Sequence, residues 1–193
     1  MEKTRATTIQ QKLGFMDDDL KTPKHDEIML WASSHALEIV TAIVDNRWTD
    51  RGIEWLNEDL RKHGEPTIAL ADLPPRKPLE IASVVWEHPI MSKQYVIGFI
   101  DLAIWYIEDG LSLDCQVYTW EIHHHKREYP LCIEVKSSIS AASELIRQIQ
   151  LYRQYQRGTY VVVSPDARYA DVLKSQGIEF YHYQVGAYEE AMR

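Results

Sequence analysis

Between residues 26 and 45 apolar side chains return at helical spacing, at Ile28, Met29, Ala32, Ala36, Ile39, Val40 and Ile43. Glu27, Ser34 and Glu38 fall on the opposite face and His35 at its boundary, so one long helix against the core is expected. A second, more polar helix is predicted over 50–62, ended by Gly64 and Pro66. Pro74, Pro75 and Pro78 make the following stretch a connector. The period then changes to that of strands, expected at 80–89, 94–107, near 116–123 and at 131–136, with Asp109-Gly110 as the turn between the second and third. After Ser137 helical spacing resumes over 141–156, with Leu145, Ile149 and Tyr152 on one stripe. A short buried strand (159–163), a helix (167–176) ended by Gly177, and a last strand (178–183) complete the chain. An α/β protein with a mixed central sheet flanked by helices is expected.

The length of 193 residues suits one domain with a full hydrophobic core. Residues 1–24 are polar, carry Asp17-Asp18-Asp19 and reach Pro23, which reads as an N-terminal arm. Residues 25–193 then form the domain, with a helical and loop insertion around 46–79. No apolar run approaches the ~20 residues of a membrane span, and residues 1–11 are too polar for a signal peptide. Cys115 and Cys132 give neither a disulfide framework nor zinc-ligand spacing, which suits a reducing cytoplasm. The net charge of -8 argues against coating nucleic acid by bulk electrostatics, but not against a local patch helped by a metal ion.

Two strands carry charges where an apolar strand should not. In the run Tyr95-Val-Ile-Gly-Phe-Ile-Asp-Leu-Ala-Ile-Trp105 the only charge is Asp101, and Pro130-Leu-Cys-Ile-Glu-Val-Lys136 ends in Glu-x-Lys. Glu134 and Lys136 are two apart, so they share a face. A carboxylate buried there costs several kcal/mol unless a cation or hydrogen bonds offset it.

The succession Gly98-x-x-Asp101, Glu134-x-Lys136 and Gln148-x-x-x-Tyr152 resembles the PD-(D/E)XK nuclease superfamily, in its RecB-type exonuclease branch. Glu87-x-Pro89 ahead of the Asp101 strand fits the same alignment, which spans residues 80–183 with the first helix added. The resemblance implies a restriction-endonuclease-like core in the order α-β-β-β-α-β. It also implies a Mg2+- or Mn2+-dependent deoxyribonuclease that hydrolyses phosphodiester bonds. In that reading Asp101, Glu134 and the Val135 carbonyl hold the ion and Lys136 is the catalytic cation, since magnesium needs only one or two carboxylates and keeps several waters. Gln148 and Tyr152 would pack beside the metal centre and bear on the nucleic-acid strand or on Lys136. One further ligand is implied on the first helix, with His35 ranked first and Glu27 and Glu38 as alternatives.

Arg147, Arg153 and Arg157 offer a phosphate-gripping patch for DNA, with RNA as the alternative substrate. The run His123-His124-His125 reads as a polar strand end, because neighbours alternate faces and Lys126-Arg127 repel a cation. Trp48, Trp55 and Trp120 would suit a partner surface, a second copy of the chain included. The rival reading is a catalytically silent nucleic-acid-binding or regulatory protein on the same fold. A strand inserted between those of Asp101 and Glu134 would undo the site.

Overall fold

A computed structural model of the chain describes residues 22–45, 50–73, 76–116 and 119–184. Thr22 caps the first helix by accepting from the His25 N–H (3.2 Å), and Pro23 occupies its first turn, where a missing N–H costs nothing. Helix α1 therefore runs Pro23–Ser34 and begins ahead of the expected position 26, taking Pro23 and Lys24 from the arm. The acidic run at 17–19 lies outside the described residues.

The single helix expected over 26–45 is broken at His35 (φ -109°, ψ 26°), and α2 spans Ala36–Ile43. The Ser34 hydroxyl (2.8 Å) and the His35 main-chain N–H (2.9 Å) both donate to the Trp31 carbonyl, and such side-chain bonding bends helices. Helix α3, Asp50–Lys62, buries Ile53, Leu56 and Leu60. Asn57 ties the following loop down through both backbone groups of Ile68 (2.9 and 2.8 Å).

The sheet has five strands in the order β1 (Glu80–Ser92), β2 (Tyr95–Gln116), β3 (Thr119–Val135), β4 (Thr159–Ser164), β5 (Glu179–His182). The first three pair antiparallel and the last two run parallel to β3. The parallel pairs need crossovers, which α4 (Ala142–Arg153) and the short α5 (Ala170–Ser175) provide. A 3-10 turn, Ala167–Tyr169, leads into α5 where one continuous helix was expected.

Asp109-Gly110 is not a turn. It lies inside β2, paired with Lys126 and His125, and the two strands expected near 116–123 and 131–136 are one strand, β3. Glycine is needed for close approach rather than for chain reversal: a Cβ on Gly110 would stand 2.6 Å from His125 Nε2. Arg76 reaches across to the Asp109 carbonyl and the Glu108 carboxylate. β2 and β3 are direct neighbours, with Leu102 opposite Ile133, so no strand separates Asp101 from Glu134.

Both faces of the central part of the sheet are buried. On one, Leu102, Ile104, Leu131, Ile133, Val135, Val161 and Val163 pack under Ile28, Ala32, Ile39 and Val40 of α1 and α2. On the other, Cys132, Tyr160, Val162 and Phe180 meet Leu145, Ile149 and Tyr152 of α4 and Leu173 of α5. Each fully buried aliphatic side chain contributes about 1.5–3 kcal/mol.

One irregularity positions the site. Ile100 and Leu102 are two apart yet pack in opposite clusters, so β2 changes face at Asp101. The ladder pairs His88 with Ile100 and Trp86 with Leu102, and the intervening Glu87 takes a left-handed φ of 47°. Among the described residues no helix is long and apolar enough to cross a membrane.

Candidate active site

Asp101 and Glu134 come from adjacent strands and are both buried; the Glu134 side chain is 1% exposed. Asp101 Oδ2 accepts from the Val135 main-chain N–H (2.7 Å), which locks the β2 carboxylate onto the Glu-x-Lys segment. Glu134 Oε1 accepts from Lys136 Nζ (2.8 Å) and from Gln148 Nε2 (3.1 Å). The Lys136 backbone is fixed in turn by its N–H on the Val163 carbonyl of β4 (3.0 Å). Two neighbouring apolar strands thus bury two carboxylates and, next to them, an ammonium, with Asp101 on the Val135 N–H and Glu134 on Lys136 and Gln148.

Gln148 and Tyr152 sit one turn apart on α4, as their spacing requires, with Gln148 Nε2 3.2 Å from the Tyr152 hydroxyl. Both are buried: Gln148 bears on Glu134 rather than on Lys136, and Tyr152 packs on the backbone of β2. A Cβ on Gly98 would lie 2.6 Å from Tyr152 Cε1, so the glycine of the Gly-x-x-Asp motif is the seat for the tyrosine of the helix motif.

The histidine beside Asp101 is His25, which the sequence reading did not select. Its Nε2 stands 3.6 Å from Asp101 Oδ2 and its side chain is 5% exposed. The available signal was the Thr22-Pro23 pair, an N-cap followed by proline at the helix start, which places residue 25 in the first turn. His35 lies elsewhere: it stacks on Trp31 (ring centroids 4.6 Å), and its Nδ1 is 2.9 Å from both the Trp31 carbonyl and Ser34 Oγ. Glu27 and Glu38 accept from the hydroxyls of Tyr183 (2.7 Å) and Tyr181 (2.5 Å), bonds that tie the β5 side of the sheet to α1 and α2. Burial, followed by those carboxylates, raises both tyrosines to about 12.

Burial opposes ionisation of Asp101, but the His25 ring, the Lys136 ammonium and the Val135 N–H outweigh it, and its carboxyl titrates below the ordinary range. The buried cluster therefore holds a carboxylate at neutral pH. Among the described residues no three His, Cys, Asp or Glu side chains stand together as a ready-made metal-binding group. The residues that could hold a hard divalent cation are the two buried carboxylates, Asp101 and Glu134, which offer oxygen donors from neighbouring strands.

The three arginines are not all on one helix. Helix α4 ends at Arg153, so Arg157 lies beyond it. Arg153 donates to the carbonyls of Gln176 (3.0 Å) and Gly177 and lies over the Tyr160 ring, which commits it to the end of α5. Arg147 and Arg157 are exposed. Trp55 is 60% exposed, whereas Trp48 and the Trp120 side chain lie outside the described residues, as do the side chains of His123 and His124.

Set against protein-family models, curated proteins and solved structures, the chain matches none of them.

Proposed function

We propose that this protein is a Mg2+- or Mn2+-dependent nuclease that hydrolyses phosphodiester bonds in DNA, on a restriction-endonuclease-like core of the PD-(D/E)XK type. The observation that supports this most is the enclosed group of Asp101, Glu134, Lys136 and Gln148 with His25 beside it, assembled from two adjacent strands and two helices. The strand order, an antiparallel meander followed by two parallel strands with helices on both faces, suits that core.

Asp101 and Glu134, with the Val135 carbonyl, are the groups that would hold the ion. His25 replaces His35 as the first-helix residue of the reading, because it is the histidine that contacts Asp101. A divalent ion bound there would supply an acidified water and shield charge building on the phosphate. Lys136 acts as a compact cation, held by Glu134 and its own main-chain bond, that orients the attacking water or steadies the charged phosphate. Gln148 keeps the Glu134 carboxylate aimed, and Tyr152 keeps Gln148 in place. The buried surroundings strengthen each of these interactions relative to water.

A silent binding protein on the same fold is the second reading. It is favoured by the net charge of -8 and by the way Lys136 and Gln148 both bond the same Glu134 oxygen. Cleavage assays separate the two. The full chain should degrade linear and circular DNA with magnesium and not with a chelator. Glu134→Gln, which retains an oxygen for Lys136 and Gln148, should lose at least about a hundredfold in rate while melting as a folded protein. Undiminished cleavage by that variant would remove the mechanism, and no cleavage by the wild type would favour the second reading.

A further inference from the structure

The end of β4 carries a polar assembly that the proposed mechanism does not use. Asp166 Oδ2 accepts from the Ile139 N–H (3.0 Å), and Arg168 Nη2 donates to the Ile139 carbonyl (3.4 Å), so one acid–base pair captures both backbone groups of one loop residue. The pair is closed on itself: Arg168 Nε lies 2.7 Å from Asp166 Oδ1 and its Nη2 2.6 Å from Oδ2, the forked geometry that suits guanidinium and carboxylate. The Arg168 N–H adds a bond to Oδ1 (3.3 Å), and the buried Ser164 hydroxyl accepts from the Asp166 N–H (3.0 Å). Hydrogen bonding from Arg168, ahead of that from Ile139, holds the Asp166 carboxyl well below the usual carboxylate range.

The place of this assembly matters more than its strength. Ile139 is three residues past Lys136 and three before Ala142, where α4 begins, and its side chain is 2% exposed in the cluster that contains Leu145, Ile149 and Tyr152. The loop it anchors joins the strand bearing Glu134 and Lys136 to the helix bearing Gln148 and Tyr152. Strands β3 and β4 are cross-tied twice at their ends, once through Lys136 N–H on Val163 and once through Asp166 on Ile139. Helix α4 has no side-chain cap on Ala141, and the Ile139 bonds stand two residues ahead of that position.

We propose that Asp166, backed by Arg168, is a positioning residue that sets the backbone of Lys136 and the entry of α4 so that Lys136 and Gln148 meet on one Glu134 oxygen. This rests on the reading of Glu134 and Lys136 as the reacting pair. Asp166 touches no reacting atom; it acts through the loop.

Two measurements on the full chain test it. In Asp166→Ala, amide hydrogen exchange at Lys136 and Ile139 should quicken by at least about tenfold while the amides of Val161 and Val162 in β4 keep wild-type rates. With magnesium and DNA, kcat should fall by about tenfold with KM within about twofold, because misplacement affects the transition state more than binding. Arg168→Gln keeps Asp166 on the Ile139 N–H and should show the same pattern at about a third of the size. It also serves if Asp166→Ala does not fold. Exchange that quickens equally across the sheet would overturn the proposal, as would unchanged exchange at Lys136 or a rise in KM alone. A wild-type protein that cuts no DNA would overturn the nuclease reading instead, and the exchange comparison would still decide the clamp.

Discussion

Lys136 on Glu134 and Lys126 on Glu80 are the same ion pair at the same distance, 2.8 Å, yet they stand in opposite surroundings. The side chains of the first pair are 8% and 1% exposed, those of the second 57% and 52%. At the surface such a pair costs little to form and contributes little, typically about 0–1 kcal/mol. Inside, two charges leave water at a cost that their attraction only partly repays, and an apolar pair of similar volume would serve stability as well or better. Folding stability therefore accounts poorly for a buried pair of this kind, bonded also by the Gln148 amide, and the proposed function rests in part on it.

The contrast can be broken at several points. Lys136→Met leaves Glu134 buried without its cation and should destabilise the fold by about 3–5 kcal/mol in urea unfolding at neutral pH. Gly98→Ala brings a methyl group against the Tyr152 ring and should cost about 1–3 kcal/mol by the same measurement, with loss of cleavage as Gln148 loses its support.

The clamp at Asp166 gives a pH dependence of defined sign. Its folded carboxyl titrates below the ordinary value of 3.8, so its stabilisation is complete above that value and is lost as the pH falls below it. Asp166→Asn should lower the melting temperature by about 2–4 °C near pH 7, as expected for roughly 1 kcal/mol in a chain of this size, and the gap should narrow as the pH drops through about 3. Lys126→Met should change stability by less than about 0.5 kcal/mol, and high salt should erase even that.

The parts of the site that were legible in the sequence are those with a local signature. Asp101 and Glu134 stood out because a lone carboxylate in an apolar strand violates the pattern around it, Lys136 followed from a period of two, and Gln148 came from the family resemblance. The expected α/β arrangement, a mixed sheet flanked by helices, agrees with the observed one. What escaped depended on contacts between distant segments. His35 lay at the edge of an apolar stripe on a helix assumed to be continuous, whereas the break at His35 and the earlier start at Pro23 make His25 the one that meets Asp101. Gly110 carried a turn signal because a glycine needed for a ring across the ladder looks, in one dimension, like a glycine needed for reversal. Arg153 read as part of a phosphate-gripping patch because its partners, Gln176 and Gly177, belong to another helix end.

The most direct test of the central claim is a manganese titration of the full chain, followed by calorimetry and by the electron spin resonance of the free ion. One saturable site is predicted, weakened by at least about tenfold in Asp101→Asn and in Glu134→Gln alike. Absence of saturable binding, or binding indifferent to both substitutions, would contradict the account.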